Sequence, residues 1–329
     1  MHSRTVHGSW IAGGLALCLQ AHAADLVASH ACPSQNRTQE SRREALCFAI
    51  PFGGRTRTLS VYAPPRISGP RPLILVLHGG GGTGVGMEWL TKRGFNRIAD
   101  RDGAIVLYPD GIEKSWNDGR GDSHVAASQL NVDDLAYLRA LPQALAAHYA
   151  IDPARIYATG ISNGGLMSYR LACDAADVFA AVAPVAADLS VALGKDCHPA
   201  REVSIAIVNG TEDPIMPWQG GTIKILWSSR GQVLSGPASA ARWLELDHCE
   251  AFSEPDGVID AAPDDGTSLV RHVAHCARAS EVDLFEIRGG GHTWPGGEAY
   301  LGRLLVGRVS RELDANEAIW RFLASHRLR

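Results

Sequence analysis

The stretch Arg155-Ile156-Tyr157-Ala158-Thr159-Gly160-Ile161-Ser162-Asn163-Gly164-Gly165-Leu166 decides how this chain folds. Residues 155–159 read as an apolar strand, residues 163–172 carry helical patterning, and Gly160-Ile161-Ser162-Asn163-Gly164 joins the two. A serine raised on so tight a turn leaves no space for side chains on its flanks, so small residues at 160 and 164 follow from sterics. Strand, G-x-S-x-G and helix in that order predict a nucleophile elbow carrying Ser162, in preference to a serine that only caps a helix.

Working outward, residues 58–62 alternate as a half-buried strand, and the unbroken apolar run 73–77 reads as a strand covered on both faces. Helical patterning over 87–100 precedes a short strand at 104–108. A helix over 131–149 follows, opened by Asp133 and Asp134 and kinked or split at Pro142. Beyond the elbow come strands at 180–185, 203–208 and 282–287, a long irregular stretch before the last of these, and a closing helix over 308–324. Strands alternating with helices predict an α/β fold, a mostly parallel central sheet with helices on both faces. No repeat or linker interrupts residues 55–329, which are expected to form a single domain behind a polar segment at 24–54.

Composition narrows the field. The 329 residues are 46% apolar and 20% charged with a net charge of −4, which excludes a disordered or multi-span membrane chain and lowers the prior for nucleic-acid binding. Residues 1–23 combine Arg4, an apolar run at 10–19 and Ala21-His22-Ala23, the pattern of a cleaved signal peptide. The run is too short to span a membrane, and Leu17 stands where lipid attachment before Cys18 requires a small residue. Export, to the periplasm or beyond, is therefore expected, and with it disulfides among Cys32, Cys47, Cys173, Cys197, Cys249 and Cys276. Fifteen pairings are open to six cysteines. Sequence-local pairing (32–47, 173–197, 249–276) is the expectation. No cysteine or histidine spacing suits zinc, so no metal is expected.

A serine hydroxyl needs a base and an orienting acid, which in this architecture follow it in the order acid, then histidine. Asp213 comes just after the strand at 203–208, with Glu212 as near rival and Asp188 as a distant one. His292 follows the strand at 282–287 behind three glycines, which free the loop to return over the serine. Backbone N–H groups must also stabilise the tetrahedral oxyanion, each contributing about 2.7–4 kcal/mol. His78-Gly79-Gly80-Gly81-Gly82 supplies one, Gly80 favoured with Gly79 or Gly81 open, and Asn163 supplies the other. The run 79–84 also satisfies G-x-G-x-x-G with Asp100 about 20 residues on, a dinucleotide fingerprint that would leave Ser162, Asp213 and His292 without a purpose. No cofactor is expected.

These segments resemble the secreted α/β-hydrolase esterases that include polyhydroxybutyrate depolymerases and feruloyl esterases. The matching stretches are LHGGGG (77–82), YPDG (108–111), SWNDGR (115–120), IDPARIYATGISNGG (151–165), NGTEDPIMPW (209–218) and GGGHTWPGG (289–297). The resemblance implies an α/β-hydrolase fold and cofactor-free hydrolysis of carboxylic esters, with Ser162, His292 and Asp213 as triad. It departs at Asn209, where relatives often carry histidine, which cautions against transferring substrate preference. His78, Trp116, Trp218 and Trp294 are the expected substrate-binding residues. Only 37 residues follow His292, leaving no separate surface-binding module to expect. Feruloyl or acetyl esters of plant polysaccharide therefore rank ahead of hydroxyalkanoate polyester, with a secreted peptidase or a non-catalytic binding protein more distant. A monomer acting on an ester, with no nucleic-acid or membrane partner, is the expectation.

Overall fold

The computed structural model describes the backbone of residues 27–31 and the full course of residues 45–65 and 69–329. The expected signal peptide lies outside the described residues. The strands are β1 (Val27–Ala31), β2 (Leu46–Phe52), β3 (Arg55–Tyr62), β4 (Arg71–Leu77), β5 (Ile105–Pro109), β6 (Ile151–Ile161), β7 (Ala181–Val185), β8 (Ser204–Gly210), β9 (Gly221–Ile225), β10 (Ser228–Val233), β11 (Ser268–His275) and β12 (Glu281–Arg288). Ten of them form one sheet in the order β1-β2-β3-β5-β4-β6-β7-β8-β12-β11, while β9 and β10 pair only with each other. The block from β5 to β12 is parallel, and antiparallel strands close both edges. This is the α/β-hydrolase architecture as one domain.

Helices α1 (Gly84–Leu90), α2 (Gly94–Asp102), α3 (Ala126–Gln129), α4 (Asp134–Ala146), α5 (Asn163–Asp174), α6 (Val191–Asp196), α7 (Gly236–Leu246), α8 (Arg303–Val306) and α9 (Ala315–Ala324) cover the two faces. The unbroken run in β4 divides between them. Leu73, Leu75 and Leu77 join a core with Leu138 and Leu141 of α4, Met167 of α5 and Trp243 of α7. Ile74 and Val76 join the opposite core with Phe95 and Ile98 of α2 and Ile319 and Trp320 of α9. A strand buried on both faces has no polar side to alternate with, which explains its sequence.

Several boundaries differ from expectation. The sheet begins before residue 55, because β2 pairs with β3 from Leu46 opposite Val61 onward and buries Phe48 and Ile50. The helix expected over 87–100 is two, α1 and α2, broken where Lys92 and Arg93 take left-handed backbone. Pro142 does not divide α4, whose buried face of Tyr137, Leu138, Leu141 and Leu145 holds it through the lost backbone bond. The stretch read as irregular contains β9, β10, α7 and β11. The closing helix starts only at Ala315, where the Asp314 carboxylate accepts from the Asn316 N–H at 2.9 Å and caps it.

Two of the locally paired disulfides are present, Cys173–Cys197 at the end of α5 and Cys249–Cys276 between the end of α7 and β11. Cys47 is disulfide-bonded as well, and Cys32 lies outside the described residues. Among the described residues, no helix is long and apolar enough to cross a membrane.

A buried ion pair, not foreseen from sequence, ties the early strands to the start of α4. Arg57 of β3 meets Asp134 at 2.6 Å, lies over the Tyr137 ring at 3.8 Å and donates to the Asp110 carbonyl, while the other Asp134 oxygen accepts from the Asn117 N–H. Burial pushes the Asp134 carboxyl up and Arg57 opposes this. Arg57→Ala strands an uncompensated buried carboxylate and is expected to cost about 3–5 kcal/mol in denaturant unfolding. A loss under about 1 kcal/mol would show that the pair contributes little.

Candidate active site

The carboxyl edge of the parallel block gathers the residues expected to react. Ser162 follows β6, and its N–H donates to the Val185 carbonyl of β7 at 2.9 Å. Its backbone stands at φ 57°, ψ −119°, a strained conformation for any residue with a Cβ and the hallmark of a nucleophile raised on a sharp turn. The flanking glycines are sterically required: a Cβ on Gly160 would lie 2.7 Å from the Leu77 carbonyl oxygen, and one on Gly164 2.5 Å from the same atom.

Asp213 follows β8, and His292 follows β12, the strand paired in parallel with β8. The Asp213 Oδ2 and His292 Nδ1 atoms are 2.7 Å apart and buried. The other Asp213 oxygen accepts from the N–H groups of Ile215 and Met216, each at 2.7 Å, so the carboxylate is fixed at both ends. These bonds hold the carboxyl group aimed at the ring. The histidine backbone is locked in turn, its N–H donating to the Val306 carbonyl and its own carbonyl accepting from the Tyr300 hydroxyl. The glycines before it serve tight packing: a Cβ on Gly291 would stand 2.1 Å from the Val306 oxygen.

Neither rival acid reaches His292 by a hydrogen bond. Glu212 is mostly exposed and ion-paired with Arg308. Asp188 is buried against Asn209, which donates to it at 2.8 Å, and burial, reinforced by the nearby Asp213 charge, pushes its carboxyl well above the usual range. Asn209 also bonds the Ala187 backbone at both its N–H and its carbonyl, so it braces the β7–β8 turns beneath the acid.

The glycine loop after β4 narrows the oxyanion donors. Gly81 spends its N–H on the Lys114 carbonyl at 2.8 Å and Gly82 on Gly79, whereas among the described residues neither Gly79 nor Gly80 donates to a backbone acceptor. A Cβ placed on Gly80 would lie 3.8 Å from the Asn163 Cβ, so the two are neighbours. Asn163 opens α5, where a backbone N–H has no intrahelical acceptor. Its side chain is fully occupied elsewhere: it accepts from the Trp116 N–H at 2.7 Å and donates to the Trp116 carbonyl at 2.9 Å and to Asp118 at 2.6 Å. Asp118, also ion-paired with Arg120, was not anticipated, although SWNDGR packs polar residues into a glycine-containing loop. Burial raises its carboxyl and Arg120 opposes the shift.

Three of the expected substrate-binding residues are turned into the body of the protein. His78 is buried, its Nδ1 bonded to the Gly79 carbonyl and its Nε2 accepting from the Gly111 N–H, with burial lowering its pKa. It ties the glycine loop after β4 to the Gly111 backbone. Trp116 is wholly buried, its indole N–H donating to the His78 carbonyl at 2.9 Å. Trp294 is wholly buried edge-on against Phe95. Only Trp218, half-buried against the start of α7, keeps exposed surface.

Fold and relatives together define a carboxylic ester hydrolase of the α/β-hydrolase class. The sequence profile of the family described as "Putative esterase" matches residues 52–257, and the chain belongs to that family. It is 31% identical over 292 residues to "Putative esterase NocK" of Nocardia uniformis subsp. tsuyamanensis, covering 83% of this chain and 81% of that one. It is 28% identical to "Feruloyl esterase B" of Piromyces equi, over 72% of this chain and 42% of that protein's length. With "Poly(3-hydroxybutyrate) depolymerase" of Ralstonia pickettii it shares 33% identity over 36% of this chain and 26% of the other. Among solved structures, an acetyl xylan esterase from Aspergillus awamori superimposes with a TM-score of 0.51 at 12% identity, covering 82% of this chain and 94% of that one, a likeness of fold.

Proposed function

We propose that the chain is an exported serine esterase that hydrolyses its substrate through an acyl-enzyme. The observation that carries this reading is the Asp213–His292 bond at the same sheet edge as the strained Ser162. With its Nδ1–H held by Asp213, the imidazole presents an unprotonated Nε2 that takes the Ser162 proton as Oγ attacks the ester carbonyl. The N–H groups of Gly80 and Asn163 receive the oxyanion, collapse of the intermediate expels the alcohol with the proton returned by His292, and water then cleaves the acyl-enzyme by the same route. The disulfides support a mature protein in an oxidising compartment, with residues 1–23 as the removed leader.

For the acyl group, the relative named as a feruloyl esterase matches twice as much of this chain as the one named as a depolymerase. Feruloyl or acetyl esters of plant polysaccharide are the first reading. Polyester or its oligomers are the second, supported by the match to the relative named as a depolymerase. Comparing kcat/KM for methyl ferulate, acetylated xylan and hydroxybutyrate oligomers tests the order, because that ratio reports differential transition-state binding. Turnover of ferulate or acetyl esters at least tenfold above the oligomers is expected. A reversed order moves the assignment to polyester, and turnover of peptide amides alone would overturn the esterase reading.

A further inference from the structure

The loop 111–120 touches both of the turns that carry the oxyanion donors. It holds the glycine turn after β4 by three bonds: the Gly111 N–H donates to His78 Nε2 at 2.9 Å, the Lys114 carbonyl accepts from the Gly81 N–H at 2.8 Å, and the Trp116 indole donates to the His78 carbonyl at 2.9 Å. It holds the start of α5 through the Asn163 side chain, whose oxygen accepts from the Trp116 N–H at 2.7 Å while its NH₂ donates to the Trp116 carbonyl and to Asp118 Oδ2. The strands β4 and β6 pair as far as Leu77 and Gly160. Beyond that pair, among the described residues, the hydrogen bonds that join the two turns run through this loop.

Asp118 is the buried end of that linkage. Its Oδ2 lies 2.6 Å from Asn163 Nδ2 and 3.2 Å from Arg120 Nε, and its Oδ1 accepts from the Arg120 N–H at 3.1 Å. The Arg120 side chain is only 7% exposed and runs beneath β10, where a Cβ on Gly231 would lie 3.4 Å from Arg120 Cδ. The carboxyl group is therefore pinned from its own loop and passes its position to Asn163. It also decides which way the Asn163 amide points: turned over, the amide would set its oxygen against Asp118 and its hydrogens against the Trp116 N–H.

We infer that Asp118 is a positioning residue for ester hydrolysis: through the Asn163 side chain it fixes the spacing between the Gly80 and Asn163 N–H groups that receive the oxyanion. It rests on the esterase reading of the same site and needs no contact between Asp118 and the substrate. Oxyanion donors act over a narrow range, about 2.7–3.1 Å from the oxygen, so a small shift of α5's first residue loses much of the bond. The oxyanion exists only in the transition states, so that loss falls on kcat rather than on substrate binding.

Asp118→Ala is expected to lower kcat for a short-chain nitrophenyl ester about 100-fold with KM within about threefold. Inhibition by an alkyl trifluoromethyl ketone reads the donors directly: Ser162 Oγ bonds to the ketone carbon, its proton passes to His292, and the carbonyl oxygen becomes an oxyanion held by the two N–H groups. The inhibition constant is expected to rise by the factor that kcat falls, a change that loosening of the fold alone would not produce. Asn163→Ala is expected to match both effects, and the double variant to lose no more than Asn163→Ala alone, because Asp118 acts through that side chain. Asp118→Asn keeps the shape, and its single oxygen can serve Asn163 or the Arg120 N–H but not both; a loss of about tenfold is expected, which keeps the test open where the alanine variant does not fold. A kcat within about threefold of the parent's, a KM that rises as far as kcat falls, an unmoved inhibition constant, or losses that add in the double variant would overturn the assignment. Failure of the esterase reading would show instead as unaltered protein that neither turns over soluble esters nor binds the ketone.

Discussion

Ser162→Ala is expected to reduce kcat for a short-chain nitrophenyl ester by roughly 10⁴–10⁶-fold, with residual activity from the oxyanion donors and binding alone. The size of the effect follows from the covalent step: without Oγ no acyl-enzyme forms. Alanine already accepts the space that the serine Cβ occupies, so the melting temperature should hardly change. Retention of more than about one per cent of the activity in a homogeneous preparation would mean that another group attacks. Equal rates for the two proteins would remove the serine mechanism altogether.

Asp213→Asn is expected to lower kcat by about 10⁴-fold while leaving the fold intact. The asparagine oxygen can keep the two bonds from the Ile215 and Met216 N–H groups, which places its NH₂ against His292 Nδ1. A donor there forces the proton onto Nε2, and a ring protonated at Nε2 cannot accept from the serine. Asp213→Ala should be as inactive but less stable, since two buried N–H groups lose their acceptor at about 1–3 kcal/mol each. A kcat within tenfold of the parent for the asparagine variant would return the orienting role to Glu212 or Asp188.

The elbow, the glycine loop and the histidine loop were legible in the sequence because each demands residue types that sterics or backbone chemistry will not replace. Gly160 and Gly164 could be read from the letters alone since any Cβ there meets the Leu77 carbonyl. The orientation of the tryptophans was not legible, for the opposite reason. Sequence shows that Trp116 and Trp294 sit in catalytic-edge loops but not which way they turn, and both turn inward, one to hydrogen-bond His78 and one to pack on Phe95. Arg57 with Asp134, and Asp118 with Asn163, are pairs of long sequence separation, so no local pattern announces them. The β2 strand was obscured by its polar neighbours, although Phe48 and Ile50 alternate at the strand period.

The β9–β10 hairpin is fastened to the body at its base largely by main-chain atoms: Gly220 N–H to the Pro217 carbonyl, Lys224 N–H to Ile215, Leu234 N–H to Leu189 and Gly236 N–H to Trp218. Attachments of that kind do not read side chains. The tip residues Leu226 and Trp227 can therefore be exchanged without touching these anchors, whereas Ile223 and Val233 nearer the base are buried in the core and cannot. Laboratory exchange of the tip alone would draw on that indifference of the scaffold to what the tip displays.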